Sequence, residues 1–367
     1  MRYELRLNKR IAAALLFAAF LAAGPVLADP LRDQAAILFA PIPEAPPALP
    51  GEESTPEKLA LGKMLYFDPR LSESHSISCN TCHIIGMGGA DGRSSSADHS
   101  SQLGGRKVLT VLNAVFNKTQ FWDGRAPSLK DQVVNSVMAN PKALLTARGG
   151  PVFVSPSEMT SAKQRAAEEL KGIPGYVEAF KKAFPADADP VTYENVGRAI
   201  AVFESTLTTP DAPFDRWLRG DDQALSEDQK QGLKLFIDKG CSNCHNGINI
   251  GGAMFARFGV AASPGPDLLP PDDWGRFAVT KDINDKYVFK VPSLRNIELT
   301  APYFHSGRVF DLKQAVGVMG RTQLGQKLSD GEIDKIAEFL KSLTGRQPQV
   351  VLPILPPSVA AAPRAQP

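Results

Sequence analysis

Two short motifs carry the residues with the clearest chemistry in this chain of 367 residues. Cysteine, two further residues, cysteine and histidine follow one another in CNTCH at 79–83 and again in CSNCH at 241–245. This pattern is the attachment signature of c-type haem, because the thiols add to the porphyrin vinyl groups and the histidine becomes an iron ligand. We therefore predict two covalently bound haems c, held by Cys79, Cys82, His83, Cys241, Cys244 and His245.

A C-x-x-C pair has two other interpretations, a redox-active dithiol and half of a zinc site. A redox pair does not need the histidine that follows, and a four-cysteine zinc site would leave both histidines unused. The chain has four cysteines, and all of them belong to the two motifs. Two complete copies therefore favour haem.

The sixth coordination position of each haem iron decides what that haem can do. The remaining histidines are His75, His99 and His305, and the methionines after the second motif are Met254 and Met319. Composition alone does not assign these side chains to either iron.

Capping signals show which elements position the motifs. Ser226 with Gln229, before the second motif, and Ser329 with Glu332, near the end, form capping boxes that begin helices. A Thr-Pro pair at 55–56 predicts a helix ahead of the first motif. Strand alternation is scarce, so we expect a mainly α fold of two cytochrome c-like helical domains, each with one covalently bound c-type haem.

The rest of the chain is divided by composition. We place a first haem domain at 29–208, with a Pro-rich extended lead-in at 29–54, and a second, electron-transfer domain at 209–345. The Pro/Ala-rich tail, 346–367, is expected to be disordered.

Residues 1–28 have the pattern of a secretory signal peptide. A basic segment precedes an apolar run from Ile11 to Ala23, and small residues precede a cleavage site after Ala28. An uncleaved anchor is the other interpretation, but the run is shorter than the ~20 residues of a spanning helix. We expect a periplasmic protein with no membrane span after cleavage, and a net charge of +2 gives no reason to expect nucleic acid as a partner.

Longer blocks resemble the bacterial di-haem cytochrome c peroxidase family, which includes the MauG-type enzymes. The resemblance runs from about Lys58 to Leu343 and includes GGADG, FWDGRAPSLKDQ, SPSEM, VPSLRNIELTAPYFHSG and AVGVMGRTQLG. FWDGRA and the PSLRN…APYFH block are far more specific than C-x-x-C-H. The resemblance implies an enzyme that reduces hydrogen peroxide with electrons from a c-type cytochrome or a cupredoxin, and it implies a homodimer.

The same resemblance implies the axial ligands. His83 and His99 would be the ligands of the N-terminal, peroxidatic haem in the oxidised enzyme. His245 and Met319 would be those of the C-terminal, high-potential haem. Reduction of the C-terminal haem would release His99 and open the first iron to peroxide, which is gating by a mobile segment.

The resemblance also implies residues for electron transfer and for the peroxide pocket. Trp122 matches a tryptophan between the haems, and Gln132 matches a polar residue of the pocket. An apparent insertion at 133–149 then places Glu158 at the catalytic glutamate, whereas a register without it would place Lys142 there. We favour Glu158 because the pocket needs an acid–base group, and in a first helical turn its carboxylate would also complement the helix dipole.

The family binds calcium between its domains through an asparagine side chain and two backbone carbonyls. The carbonyl positions correspond to Thr300 and Pro302, and the asparagine corresponds to Lys107. Calcium takes oxygen ligands, and an ammonium group offers none. Calcium therefore stays open as a cofactor, and our hypothesis is that Lys107 places its charge where calcium would lie.

Three other functions are alternatives to the peroxidase, and the last of them, a sensor, has no supporting feature in the sequence. A non-catalytic di-haem electron carrier would need no acid–base residue such as Glu158. A MauG-like oxidase of a partner protein would have a tyrosine in place of Met319 and an open first iron. A haem-based sensor would be expected to carry a signalling domain.

Among the other polar residues, His305 should have a structural hydrogen-bonding role, and Arg125 and Arg295 are candidate partners of the haem propionates.

Overall fold

The computed structural model describes residues 29–72, 75–94, 105–134 and 156–359, with the side chains of its fifth helix described from Lys163 onward. The predicted signal peptide lies outside the described residues, as do His99 and Lys142.

Helices make up most of the regular structure in these ranges. They are α1 Pro30–Leu38, α2 Pro56–Phe67, α3 Cys79–Cys82, α4 Leu129–Val134, α5 Pro156–Lys171, α6 Pro174–Ala183, α7 Tyr193–Ser205, α8 Pro213–Leu218, α9 Glu227–Asp238, α10 Phe277–Thr280, α11 Leu312–Gln323 and α12 Asp330–Lys341. Two short strands, β1 Phe255–Arg257 and β2 Val288–Lys290, pair antiparallel with Phe255 opposite Lys290. The predicted mainly α fold class is confirmed.

The first hydrophobic core forms where α2 packs against α7. Leu61, Leu65 and Ile200 are fully buried in it. The two helices approach closely at Gly62, because a Cβ there would lie 1.9 Å from the carbonyl oxygen of Ala199. The chain passes from this helix pair into α3, whose ends are the two cysteines of the first haem motif.

The second core repeats this packing with α9 and α12. A Cβ on Gly232 would lie 1.9 Å from the carbonyl oxygen of Lys335 and 2.9 Å from Cβ of Phe339. The second haem motif follows α9 within three residues, at Cys241. Each haem motif thus follows a helix that is packed through glycine onto a later helix, in agreement with two cytochrome c-like domains.

The predicted helix starts are present in both domains. The Thr55 hydroxyl accepts a hydrogen bond from the Lys58 amide at 3.2 Å, with Pro56 as the first residue of α2. Both predicted capping boxes form, at the start of α9 and at the start of α12. These helix starts are local features, which is why the sequence shows them.

The N-terminal lead-in differs from the sequence expectation. Asp29 caps α1 where an extended segment was expected, and its carboxylate accepts a hydrogen bond from the Leu31 amide at 3.0 Å. Ala35 and Phe39 are buried in the second core, beside Phe214 and Trp217. This long-range apolar burial stabilises the helix, and a Pro-rich composition gives no sign of it.

The described part of the tail, up to residue 359, also differs from the expected disorder. Val350 packs against the first core, and Pro356 lies against Gly175 at the start of α6. Arg70 donates a hydrogen bond to the Ser358 hydroxyl at 2.9 Å. The N-terminal end of the described chain therefore packs on the second domain and the C-terminal end on the first, while the boundary at residue 208 stays a prediction.

No helix in the described ranges combines the length and the apolar character that a membrane crossing requires.

Candidate haem-binding sites

His83 is held in place by the backbone of the first domain. Its Nδ1–H donates to the Leu109 carbonyl at 3.0 Å, which leaves Nε2 available for a metal. The Tyr66 hydroxyl donates to the His83 carbonyl at 2.6 Å. Burial lowers the pKa of His83, although the Leu109 carbonyl and the charge of Asp91 oppose the shift. The imidazole is therefore neutral, which is the form that binds iron.

The cysteines of both motifs suit covalent attachment. Neither pair forms a disulfide, so both pairs can serve as attachment points. Burial raises the pKa of Cys79, and the charges of Glu204 and Cys82 raise it further. The same cause raises the pKa of Cys241 to about 11. Two cysteines and the histidine that follows them are present at each motif, which is the donor set that haem c requires.

A cavity of about 210 Å³ adjoins the second motif. Its lining includes a complete predicted attachment and ligand set, Cys241, Cys244, His245 and Met319. Met319 reaches the cavity from α11, where it packs against a hydrophobic cluster of Trp122, Phe258, Phe289 and Val318. The structure therefore brings together, from α11 and the second motif, the residues expected to hold the C-terminal haem.

The His245 ring lies in a tightly packed part of this cavity wall. Burial lowers its pKa to about 4, and the backbone at Ile250 and Pro292 opposes the shift. Gly251 has φ +121°, and a Cβ there would lie 2.3 Å from the Pro292 carbonyl oxygen and 3.3 Å from His245 Nδ1. Within the described structure, Nδ1 of His245 has no hydrogen-bond partner. Only glycine fits at position 251, beside the neutral imidazole of His245. This arrangement suits the predicted role of His245 as a ligand of a haem, which is bulky and planar.

Trp122 connects this cavity with the first motif. It lines the cavity, and its Nε1–H donates to the Lys107 carbonyl at 2.8 Å. Leu109, which accepts the hydrogen bond from His83, also lines the cavity. Segment 107–109 is therefore hydrogen-bonded to His83 of the first motif at one end and to Trp122 at the other.

The predicted peroxide pocket is covered only in part. Gln132 is half-buried in α4, which packs against α7. Glu158 lies in the first turn of α5, but its side chain is outside the described structure, and His99 lies outside altogether. The roles of these three residues stay predictions.

The other predicted polar residues are engaged within the protein. The His305 ring stacks on Phe289 with centroids 4.1 Å apart, and its Nε2 has no hydrogen-bond partner among the described residues. Arg295 is buried and donates to Asp215 at 2.7 Å. Arg125 donates to Asp123 at 2.8 Å. The Asp273 carboxylate lies 3.8 Å from Nε2 of His305. The hydrogen-bonding role of His305 and the propionate roles of the two arginines stay predictions.

Sequence reasoning missed several residues that shape these sites. Leu109 acts through its carbonyl, which no side-chain pattern reveals. Glu204 of α7 is buried beside the first motif, where burial raises its pKa to about 8 and its Oε2 has no partner in the described structure. The place of Glu204 near Cys79 depends on helix packing, which the sequence does not reveal. By contrast, Gly251 beside His245 belongs to the glycine-rich run CHNGINIGG at 244–252, which could have been noticed in the sequence.

Comparison with known proteins agrees with this geometry. A family model described as di-haem cytochrome c peroxidase matches residues 56–223, and one described as cytochrome c matches residues 229–344. A cytochrome c551 peroxidase of Pseudomonas aeruginosa is 50% identical over 92% of this chain and 93% of its own length. The chain belongs to the di-haem cytochrome c peroxidase family.

Other members of the family are more distant. The methylamine utilization protein MauG of Methylorubrum extorquens is 34% identical over 86% of each chain. The crystal structure of a MauG-like protein associated with microbial copper homeostasis aligns with a TM-score of 0.69 and 25% identity, over 83% of this chain and 95% of that one.

Family membership decides the broad chemistry. This di-haem cytochrome c peroxidase is an oxidoreductase with haem c cofactors. The described residues contain no group of three or more His, Cys, Asp or Glu side chains that could hold a metal ion.

Proposed function

We propose that this peroxidase reduces hydrogen peroxide to water with electrons that enter at the C-terminal haem and pass to the N-terminal one. The observation that carries this proposal is the segment 107–109. It accepts a hydrogen bond from His83 at 3.0 Å and one from Trp122 at 2.8 Å, while Trp122 lines the cavity of His245 and Met319. A short bonded route thus joins the two haem-binding sites.

The protein's own residues have distinct tasks in this scheme. Haem iron, when bound, supplies the redox chemistry by which peroxide takes up two electrons and two protons to give two waters. His83 would hold one iron through Nε2, and His245 with Met319 would hold the other. Methionine ligation raises a haem potential relative to histidine, so the C-terminal site should be reduced first.

The peroxide pocket requires a group that moves a proton. Glu158 would take the proton from one peroxide oxygen and return it to the other, and Gln132 would orient peroxide by hydrogen bonding. His99, as the predicted second ligand of the first iron, would keep peroxide from that iron until it departs. The segment between His83 and His99 is rich in Gly, Ser and Asp, so few apolar groups oppose the departure of His99.

The partners and location follow from the sequence and from the relatives' names. Relatives named cytochrome c551 peroxidase favour a small c-type cytochrome as donor over a cupredoxin. The predicted signal peptide supports a periplasmic location, and the family resemblance supports a homodimer. Met319 favours this function over a MauG-like oxidation of a partner protein, because the resemblance implies a tyrosine there in MauG-type enzymes.

Spectra and peroxide turnover of the fully oxidised and the half-reduced protein test this proposal. We expect one-electron reduction to convert one haem from low spin to high spin and to start turnover. His99→Gly should be active without pre-reduction, whereas His75→Gly, at a histidine outside both haem motifs, should keep the requirement. High activity of the fully oxidised wild type would refute the gating by His99.

A further inference from the structure

The ammonium group of Lys107 is buried at the junction between the two domains. The side chain is inaccessible, and its Nζ donates a hydrogen bond to the carbonyl of Thr300, which is also buried. The backbone is fixed there too, since the Lys107 amide donates to the His305 carbonyl at 2.8 Å. Lys107 therefore ties the segment that carries Trp122 to the 300–305 turn of the second domain.

The surroundings of Lys107 resemble the setting of a bound cation. Burial lowers its pKa to about 8, and the charge of Asp91 opposes this shift. The amine is therefore mostly protonated at neutral pH. Asp91 is itself buried, so a cation, a carboxylate and a carbonyl oxygen lie together in the interior.

The family resemblance implies calcium at this junction, and the residues present do not fit it. Calcium takes six to eight oxygen ligands at about 2.3–2.6 Å. The expected side-chain oxygen is absent at position 107, and the group in its place donates N–H bonds. Its Nζ already occupies the Thr300 carbonyl, so calcium at that oxygen would face an adjacent positive charge.

We propose that the Lys107 ammonium takes the place of the inter-domain calcium, so that a covalently tethered cation holds this junction and no calcium binds there. The 300–305 turn, including the buried Pro302, is then held by the protein alone. This inference does not depend on the proposed electron route or on gating by His99.

Calcium binding to the purified di-haem protein tests the proposal directly. After treatment with a chelator and desalting, the wild type should contain no tightly bound calcium, and calorimetric titration with calcium should show no site. Lys107→Asn restores a side-chain oxygen and should gain one site per chain. Lys107→Met removes the charge without adding an oxygen and should gain none.

A second buried lysine provides the matched control. Lys290 is as deeply buried as Lys107 and lines the same cavity, but Thr300 is not among its hydrogen-bond partners. Lys290→Asn should therefore gain no calcium site. Haem absorbance and circular dichroism would verify folding, and Lys107→Gln would replace a variant that does not fold. One tightly held calcium in the wild type, or no gain in folded Lys107→Asn and Lys107→Gln, would overturn the proposal.

Discussion

The histidines of the two haem motifs, which we predict to be the proximal ligands, are held differently at Nδ1. Nδ1 of His83 donates to the Leu109 carbonyl at 3.0 Å, whereas Nδ1 of His245 makes no hydrogen bond of comparable geometry with the backbone around it at Ile250 and Pro292. A hydrogen bond at Nδ1 makes an imidazole a more basic ligand, which favours oxidised iron. Together with methionine at the second site, this difference should set the C-terminal haem at the higher potential.

Replacing Met319 with histidine tests its predicted role as a ligand. Met319→His should lower the potential of the C-terminal haem by roughly 0.1–0.3 V, within the ~0.8 V range that axial ligands span. Spectroelectrochemical titration of both haems measures this change. The haem at His83 should keep its potential.

Met254→His is the control for the Met319 substitution. Met254 is 38% exposed, and it is not among the residues that line the cavity of His245. Its replacement should leave both potentials unchanged. An unchanged potential in Met319→His would show that Met319 is not the ligand.

At the level of elements, one packing device occurs twice. Gly62 of α2 and Gly232 of α9 each lie against a backbone carbonyl of the helix that they cross, at α7 and α12. Close helix contact of this kind needs a residue without Cβ. This close contact fixes the position of the helix that precedes each haem motif. It therefore also fixes the direction in which the chain enters the motif.

The helix starts and the chain ends show what the sequence can and cannot predict about the elements. Capping boxes and the C-x-x-C-H motifs are local, so residues such as Ser226 and Ser329 revealed helix starts without the structure. The placement of α1 on the second core and of Val350 on the first depends on contacts between distant residues. Such contacts leave no periodic pattern, which explains why the sequence assigned these segments to a lead-in and a free tail.

Gly232→Ala should destabilise the second domain. The new methyl would overlap the Lys335 carbonyl at 1.9 Å, so α9 and α12 must separate, at a cost of roughly 1–3 kcal/mol or more. Thermal unfolding followed by haem absorbance measures this loss.

Gly331→Ala is the matched control within α12. No atom lies within 4 Å of the Cβ position at Gly331, so alanine meets no clash there. Its better helix propensity should leave stability unchanged or raise it by up to about 1 kcal/mol. Equal effects of the two substitutions would rule out close packing at Gly232 as the reason for its glycine.

At the scale of the whole molecule, the two domains are joined by polar contacts as well as by the two chain ends, each of which packs on the other domain. Arg106 binds Asp273 of the second domain through two hydrogen bonds, at 2.8 Å and 2.5 Å, and Asp123 of the first at 3.0 Å. All three side chains are almost fully buried. Buried carboxylates that lose their partner are costly, so this triad should couple the domains.

Arg106→Gln should therefore weaken the coupling between domains. It leaves the buried carboxylate of Asp273 without its arginine, while Asp123 keeps Arg125, and the loss of such a partner costs roughly 3–5 kcal/mol. Calorimetry should show the unfolding transition split into two at lower temperature. Arg106→Lys keeps the charge without the paired geometry, so its transition temperatures should lie between those of the wild type and of Arg106→Gln.

The control is Arg346→Gln. It breaks an ion pair with Glu44 whose side chains are 61% and 58% exposed, so it should change stability by less than about 1 kcal/mol. If Arg106→Gln unfolds in one transition at the wild-type midpoint, then Arg106 does not couple the domains. The two chain ends and apolar contacts would then hold the domains together.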